Sequence, residues 1–341
     1  MWMTDNDYKL FRSLVELTQT GLKQAMETVV KKYYKNVVST DRYVYAKGNI
    51  PIALVAHLDT VFPLPPTDVF YDREQNVIWS PQGLGADDRA GVYIIFQILR
   101  TTKLRPHLIF TTDEEKGMLG SIFLTKKERK PFAEMKYIIQ LDRRGVNDCV
   151  FYDCDNKDFT KYVESFGFKK AFGSFSDISE ICPEWGIAGV NLSVGYVSEH
   201  SEKEHLYVDV LKNTQTRVIE MLKDAENAPT FEFIPDPYSY SYYYGGLGKN
   251  AVNYAYGYEW GGSDEYEVIC KNCHKVFLEY ETIPVKGRNG GTSFYCPDCL
   301  AKSNISWCEK CKEAFEPVDA MNDKYCVDCA KGVLKLNGNA N

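Results

Sequence analysis

Acidic and histidine side chains that could bind a metal ion occur in five separated segments of the chain. The segments read AHLDT, GADDRAG, TDEEKG, QLDRRG and SEHSEKEH. They supply the following candidate ligands and bases: His57, Asp59, Asp87, Asp88, Glu114, Glu115, Asp142, His200, Glu204 and His205. Carboxylate oxygens and imidazole nitrogens are donors that divalent ions commonly take from proteins. Together, the segments indicate a metal site.

Each segment alone has a simpler explanation, and these alternatives stay open at this point. Asp87 and Asp88 stand before the apolar run VYIIFQIL, where an acidic residue would cap the free N–H groups of a helix. The DEE triplet would suit a solvated acidic turn, and an H-x-D pair also occurs in ordinary strands. The metal hypothesis therefore depends on the combination.

The spacing within the segments suits a centre with two ions. Residues i and i+2 of a strand face the same side, so Asp59 can reach the second ring nitrogen of a metal-bound His57. Two cations about 3.5–4 Å apart need a shared anion, for which Asp87 is the candidate. Glu114 and Glu115 are adjacent, so that one can bind metal while the other holds the water and acts as general base.

Strands and helices alternate along the first two thirds of the chain. Strands are predicted at 37–46, 50–57, 107–112, 137–142, 149–152 and 187–194, with a hairpin at 69–80 that turns at Gln75 and Asn76. Helices are predicted in the N-terminal region, after Asp87, from about 117, from 158, near 177 and over 208–226. This alternation predicts an α/β fold with a mostly parallel, twisted sheet and helices on both faces. Sites in such folds form at the carboxyl ends of the strands. Asp142 lies at such an end, after the apolar run YIIQL, and its carboxylate would be costly to bury without a partner.

The composition is that of a globular protein with one sizeable core and small appendages. The chain has 341 residues, of which 44% are hydrophobic and 26% charged, and its net charge is −7. This charge does not suggest a general binder of nucleic acids or membrane surfaces. No apolar run reaches the roughly 18 residues of a membrane span, and no secretion signal is recognisable at the start. We expect a cytoplasmic protein without membrane contact.

Most of the cysteines are concentrated near the C-terminus. Eight of the 11 cysteines form C-x-x-C pairs: Cys270/Cys273, Cys296/Cys299, Cys308/Cys311 and Cys326/Cys329. Each C-x-x-C pair forms a turn called a zinc knuckle, and two knuckles together can hold one tetrahedral zinc ion. Zinc is favoured over disulfides, since no secretion signal is present. The spacing suits pairing of the first knuckle with the second and the third with the fourth, although crossed pairing stays open. Two structural Zn²⁺ ions are expected, with His274 as a bystander.

Taken in order, the five motifs resemble the co-catalytic dizinc peptidase clan. This clan includes peptidase T, aminoacylase and succinyl-diaminopimelate desuccinylase, with the related zinc aminopeptidases. The resemblance covers roughly residues 50–226. AHLDTV is similar to the clan's H-x-D motif, GADDRAG to its bridging-aspartate motif and DEEKG to its paired glutamates. LDRRG corresponds to the third acidic ligand, and HSEKE to the closing histidine with its downstream acid.

The resemblance implies a role for each matching residue. His57, Asp87 and Asp142 would hold one ion, and Asp87, Glu115 and His200 would hold the other. Glu114 would be the general base, and Asp59 would orient His57. The clan's D-x-[KR]-x-G pattern favours Asp87 over Asp88, and the closing motif favours His200 over His205, because His200 begins the matching stretch HSEKE.

The chain departs from the clan pattern in two ways. Many members insert a lid or dimerisation domain between the third acidic ligand and the closing histidine, whereas only residues 143–199 intervene here. A substrate carboxylate would then need another contact, and Arg143 or Arg144 could supply it unless both are plain surface residues. The resemblance does not explain the cysteine-rich end, where basic and acidic residues balance from Glu267 onward, so nucleic acid is an unlikely ligand. We expect this cysteine-rich end to contact a protein partner or a second copy of the chain.

The expected organisation has four parts. Residues 1–228 form the catalytic domain without a lid, and residues 229–266 form a Tyr/Gly-rich linker. Zinc ribbons follow at 267–303 and 304–335. A binding role for the aromatic linker is the less favoured alternative.

The expected function is hydrolysis of an amide or peptide bond by a metal-bridging hydroxide, with Glu114 as general base. Two Zn²⁺ ions (or Co²⁺ or Mn²⁺) would occupy the catalytic centre. A small peptide is the leading substrate, for an aminopeptidase or a di- or tripeptidase, and deacylation or desuccinylation of an N-acyl amino acid is the alternative. A catalytically inactive zinc-ribbon adaptor is the alternative from another class, although no expected ligand or base is missing. The preferred side chain, the native metal and the oligomeric state stay open.

Overall fold

A computed structural model of the protein describes residues 2–128, 134–236, 267–278, 282–286, 292–309, 313–317 and 324–326. The chain divides into two compact units, Met1–Gly246 and Leu247–Asn341. The strands described in the first unit are β1 (Val37–Ser39), β2 (Tyr43–Ala46), β3 (Ile50–His57), β4 (Phe70–Asp72), β5 (Val77–Trp79), β6 (Pro106–Thr111), β7 (Tyr137–Arg143), β8 (Asp148–Val150), β9 (Lys169–Lys170), β10 (Gly189–Ser193), β11 (Tyr196–Val197) and β12 (His205–Tyr207). Its helices are α1 (Asp5–Val15), α2 (Gln19–Tyr33), α3 (Ala86–Thr101), α4 (Leu119–Lys127), α5 (Lys157–Glu164), α6 (Asp177–Trp185) and α7 (Val208–Lys223), followed by a 3-10 turn at Asp224–Glu226.

The main sheet of the first unit has eight strands in the order β1-β2-β6-β3-β7-β10-β8-β9. Its centre is parallel, because β3 pairs with both β6 and β7, and β7 pairs with β10 in the same direction. Antiparallel pairs flank this centre, where β2 joins β6 and β8 joins β10. The predicted α/β fold with a mostly parallel sheet is confirmed.

Helices cover both faces of the main sheet. In β3, Ile52, Leu54 and Ala56 belong to one buried core, whereas Ala53 and Val55 belong to the other. The first core is closed by residues of α1, α2, α3, α5 and α7, and the second by residues of α4 and α6. A strand with both faces covered needs apolar residues at successive positions, which explains the unbroken run IPIALVA.

Two details differ from the sequence prediction. The stretch 37–46 forms two strands, because the chain turns at 40–42 and β1 pairs antiparallel with β2. The predicted hairpin at 69–80 forms β4 and β5, but it also joins β11 and β12 in a separate sheet of order β11-β12-β5-β4. Strands of two or three residues carry too little periodicity to predict such a sheet.

Residues 143–199, where a lid was expected to be absent, form elements of the first unit. They contain β8, α5, β9, α6, β10 and β11, of which β8, β9 and β10 extend the main sheet. Residues 229–236, assigned to the start of the linker, lie against the same unit: Phe231 belongs to its first core, and isolated bridges join Ile187 to Glu232 and Cys154 to Pro235. The rest of the predicted linker, 237–266, lies outside the described residues.

The described part of the second unit contains two small sheets. β13 (Glu267–Ile269) pairs with β14 (Val276–Leu278). The strands β15 (Ile283–Lys286), β16 (Thr292–Tyr295), β17 (Ser306–Trp307) and β18 (Ala314–Phe315) form a sheet of order β16-β15-β18-β17, and the short helix α8 spans Pro297–Leu300. Strands of both predicted ribbons therefore share one sheet, through the parallel pair β15 and β18.

None of the helices within the described ranges has the length and apolar character needed to cross a membrane.

Candidate metal centre

The carboxyl ends of the parallel strands bring the predicted residues of the first unit together. His57 is the last residue of β3, and Asp142 lies one residue before the end of the adjacent β7. Glu114 and Glu115 follow the end of β6, and His200 lies in the loop between β11 and β12. This edge of an open α/β sheet is where such folds place their sites.

Two groups of potential ligands share one aspartate. In the first group, His57 Nε2 lies 3.0 Å from Asp87 Oδ1 and 3.4 Å from Asp142 Oδ1. In the second, His200 Nε2 lies 3.3 Å from Asp87 Oδ2 and 3.1 Å from Glu115 Oε2. The donor atoms within each group lie within 4.8 Å of one another. The two oxygens of Asp87 thus face different groups, as a carboxylate shared by two ions would require.

The donor chemistry of both groups fits divalent cations. Each group combines an imidazole with two carboxylates, the set that zinc and similar ions accept. Glu115 Oε1 is buried and has no hydrogen-bond partner among the described residues. Carboxylates held this closely repel one another unless a positive charge lies between them. The assignment of individual ligands stays a prediction.

The charges of the two groups act strongly on each other. Burial works to raise the pKa of Asp87, but the imidazoles of His200 and His57 outweigh it and hold that pKa well below its usual range. Burial, followed by the charge of Asp87, raises the pKa of Glu115 to about 7. The same two causes raise the pKa of Asp142. Metal binding to such a cluster would displace protons, because a ligand must give up its proton to bind.

Asp59 contacts both the histidine and the glutamate pair. Its Oδ1 lies 3.4 Å from His57 Nδ1, on the side predicted for an orienting carboxylate. The carboxylate also accepts the backbone N–H groups of Glu114 and Glu115, both at 3.0 Å. Asp59 is 4% exposed, so it joins the end of β3 to the segment that carries the paired glutamates. The sequence reasoning missed this second contact.

Glu114 belongs to neither ligand group but lies within their field. Desolvation raises the pKa of Glu114 well above its usual range. The charge of His57 opposes this shift, and the charges of Asp142, Asp177 and Glu115 add to it. A carboxyl with a raised pKa, next to a pair of ligand groups, suits a proton acceptor and donor.

The capping explanation fits Asp88, whereas Asp87 faces the ligand groups. Asp88 Oδ1 accepts the N–H of Gly91 at 2.9 Å, and its Oδ2 accepts the backbone N–H of His57 at 3.1 Å. Asp87 and Asp88 have non-helical backbone angles, so the Asp88 carboxylate caps the regular part of α3 that follows it and fixes this part to the end of β3. Arg89 is buried as well and donates to the carbonyl oxygens of Leu58, Asp59 and Leu17.

The closing motif separates its two histidines. His200 reaches the second ligand group, whereas His205 lies in β12, where its Nδ1 contacts the carbonyl oxygen of Lys203. Glu204 also lies away from the ligand positions, and its buried carboxylate accepts backbone N–H groups of the Gly85–Asp87 segment.

Several residues around Asp142 were not predicted. Its Oδ2 accepts hydrogen bonds from Gln140 at 3.0 Å and from Ser176 at 2.8 Å, and its Oδ1 accepts one from the Tyr196 hydroxyl at 3.1 Å. Glutamine at 140 alternates with Asp142 on one strand, which could have indicated a contact. Ser176 and Tyr196 are distant in sequence and carried no such signal.

The two arginines considered as a substrate clamp are already engaged. Arg144 forms an ion pair of 2.7 Å with Glu199. Arg143 donates to the carbonyl oxygen of Phe172 at 3.1 Å and lies 4.0 Å from Asp148. These contacts favour a structural role for the arginine pair.

In the second unit, Cys270, Cys273, Cys296 and Cys299 form one group whose sulfur atoms lie within 4.8 Å of one another. This grouping is the predicted pairing of the first knuckle with the second. Four cysteines in this arrangement suggest a structural zinc site. Cys308 and Cys326 are buried, whereas Cys311 and Cys329, predicted to complete the second site, lie outside the described residues.

Comparison with known proteins gives a family match over part of the chain. Residues 15–173 match the model of Peptidase family M28. A comparison with curated protein sequences gave no match. The family match supports a metal-dependent peptidase of the clan that the motifs suggested.

Solved structures share the fold at low sequence identity. A tripeptidase from Staphylococcus aureus matches with a TM-score of 0.55 and 14% identity, over 65% of this chain and 98% of that one. The aminopeptidase PepT from Bacillus cereus matches with a TM-score of 0.52 and 16% identity, over 64% and 98%. A TET aminopeptidase from a marine-sediment thaumarchaeote gives 0.52 and 14%, over 65% and 99%. At these identities the likeness establishes the α/β fold of the first unit.

Proposed function

We propose that the protein is a dinuclear metallopeptidase that removes residues from small peptides, acting as an aminopeptidase or a di- or tripeptidase. The observation that carries the proposal is the sharing of Asp87 between the two ligand groups. The match of residues 15–173 to a peptidase family and the fold shared with a tripeptidase and aminopeptidases support the same reaction class.

Each ligand group would hold one ion. His57, Asp87 and Asp142 would bind the first, and Asp87, Glu115 and His200 the second, with zinc as the leading metal. When bound, such a pair lowers the pKa of water and polarises the scissile carbonyl group. His57, Asp142 and Glu115 would come from the ends of neighbouring strands, whereas Asp87 lies at the start of α3 and His200 in a loop. Buried hydrogen bonds fix the segments that carry His57 and the glutamate pair.

Glu114 would accept the proton of the attacking water and return it to the leaving amine. Its position beside Glu115, outside both ligand groups, leaves its carboxylate available for proton transfer. A carboxyl group in this position can act as the base in the first step and as the acid in the second. Asp59 would orient His57 from one side and hold the backbone of the glutamate pair on the other.

The cysteine-rich unit would hold two structural zinc ions and contribute a contact with a protein partner or a second copy. The grouped sulfur atoms of the first site support the structural zinc.

Metal content and substrate choice test the proposal together. The full chain, purified without chelator and briefly exposed to zinc, should contain about four ions, two in the cysteine sites and two in the first unit. A variant with Cys270→Ser and Cys273→Ser provides the control, since it should lose one cysteine-bound ion and keep the other three. The loaded protein should hydrolyse peptides with a free amino terminus faster than N-acyl amino acids.

Other outcomes would change the assignment. A preference for N-acyl amino acids would replace the peptidase by a deacylase. About two ions per chain, unchanged by added zinc and without turnover, would contradict the hydrolase and favour the adaptor hypothesis.

A further inference from the structure

The backbone that carries Asp87 is held by a buried carboxylate from a distant segment. Glu204 Oε1 accepts the N–H of Asp87 at 3.0 Å, and Glu204 Oε2 accepts the N–H of Gly85 at 2.5 Å. Glu204 is 1% exposed. A carboxylate is costly to bury without partners, and here its two oxygens are satisfied by the peptide groups next to a predicted ligand.

The same segment also supplies the histidine of the second ligand group. Glu204 follows His200 by four residues, and the turn between them is closed by the Glu204 N–H, which donates to the Ser201 carbonyl oxygen at 3.0 Å. His200 Nε2 in turn lies 3.3 Å from Asp87 Oδ2. One short segment therefore contacts both the side chain and the peptide N–H of Asp87.

The two ligand groups differ in their dependence on this contact. In the second group, Asp87 and His200 both belong to segments that Glu204 connects. In the first group only Asp87 depends on this contact, because His57 and Asp142 are held independently by Asp88 and Asn191, whose side-chain oxygens accept their backbone N–H groups.

We propose that Glu204 is a positioning residue that sets the affinity of the second ligand group for its ion by fixing the peptide of Asp87 relative to His200. The inference rests on the proposed function, since it assumes that these groups bind metal. A residue that orients a ligand in this way changes metal affinity by about 10–100-fold when it is replaced.

Glu204→Gln tests the inference with little change in side-chain size. A glutamine amide has one acceptor oxygen, and its NH₂ group would face the second backbone N–H, so at most one of the two hydrogen bonds can remain. Glu202→Gln is the matched control, because Glu202 is an exposed glutamate of the same loop and the change in charge is equal.

The measurement is the ion content of the full chain, equilibrated in buffers of graded free Zn²⁺ concentration and then analysed for zinc. We expect Glu204→Gln to require about 10–100-fold more free Zn²⁺ than the wild type to retain its most weakly held ion, whereas Glu202→Gln follows the wild type. Excess zinc should then restore kcat in Glu204→Gln with little change in KM, which a general loss of structure would not allow.

The outcomes separate the inference from the proposed function. If Glu204→Gln and the wild type lose their ions at the same free Zn²⁺ concentration, the positioning role is wrong and the dinuclear centre stands. If the wild type holds no zinc beyond the cysteine sites, the dinuclear centre itself is wrong. If Glu204→Gln does not fold, Glu204→Asp replaces it: this variant keeps the charge but shortens the side chain, and it should show a smaller loss of affinity in the same direction. Wild-type affinity in Glu204→Asp would overturn the inference.

Discussion

Replacing Glu114 with glutamine should abolish most catalysis while leaving the metal centre intact. The substitution keeps the size of the side chain but removes its ability to accept and return a proton. The backbone N–H of residue 114 would still donate its hydrogen bond to the Asp59 carboxylate, which is 3.0 Å long in the wild type. The glutamate segment should therefore keep its position in Glu114→Gln.

The expected loss is that of general acid–base catalysis. Such a group contributes about 10²–10⁴-fold, which corresponds to about 3–5 kcal/mol of transition-state stabilisation. The ion content should not change, since Glu114 lies in neither ligand group. The free energy of unfolding of the metal-free protein should stay equal or rise, because glutamine removes an ionisable group whose charged form is disfavoured by desolvation more than the charge of His57 favours it.

The assay combines kcat on a small peptide, zinc content and urea unfolding of the metal-free protein. Glu115→Gln is the matched control, because it changes the neighbouring carboxyl, which lies in the second ligand group. This control should lose both turnover and one ion. The reasoning is refuted if kcat of Glu114→Gln stays within tenfold of the wild type, or if the variant loses an ion as the control does.

Three further predictions concern the shared aspartate, a buried histidine and two glycines. Asp87→Ala should empty both ligand groups and leave the cysteine-bound zinc in place, so a loss of only one ion on elemental analysis would argue against sharing. Burial lowers the pKa of His107 to about 4, and its Nδ1 accepts the N–H of Gly48 at 3.1 Å. In the unfolded chain the imidazole of residue 107 takes up a proton at a pKa near 6.5, so the free energy of unfolding should fall as the pH drops from 6.5 to 4. His107→Gln should lessen this fall, as measured by urea unfolding at pH 7 and pH 5. A Cβ at Gly91 would lie 2.2 Å from a carbonyl oxygen of β7, so Gly91→Ala should lower the free energy of unfolding by about 1–3 kcal/mol or more. At Gly21 the closest contact of a Cβ would be 3.3 Å, so Gly21→Ala should leave the free energy of unfolding unchanged or raise it by about 0.5–1 kcal/mol.

The strand ends of the site were predictable because their positions follow from sheet topology. His57 and Asp142 each end an apolar run, and the carboxyl ends of neighbouring parallel strands meet at one edge. Glu114 follows a third such run. The sequence alone could therefore indicate which side chains converge, before any distance between them was known.

The contacts that hold the segments could not be predicted, because they depend on backbone geometry. Asp88 and Glu204 both bind peptide N–H groups of other segments, and no residue pattern encodes which N–H groups a loop turns toward a distant carboxylate. Asp59 was predicted from its spacing to His57, but its hydrogen bonds to the glutamate segment depend on the turn after β6. The small antiparallel sheet was missed for a similar reason, since β11 has only two residues.

The shared sheet of the second unit affects how this end of the chain can be divided. β15 of the first predicted ribbon pairs with β18 of the second, and Glu316 next to β18 binds both Lys271 and the Tyr295 hydroxyl. A protein shortened after residue 303 would keep the four grouped cysteines but expose the edge of β15. Unpaired edges of this kind recruit strands from other molecules, so that such a truncation would be prone to aggregate, and the two ribbons should be expressed together.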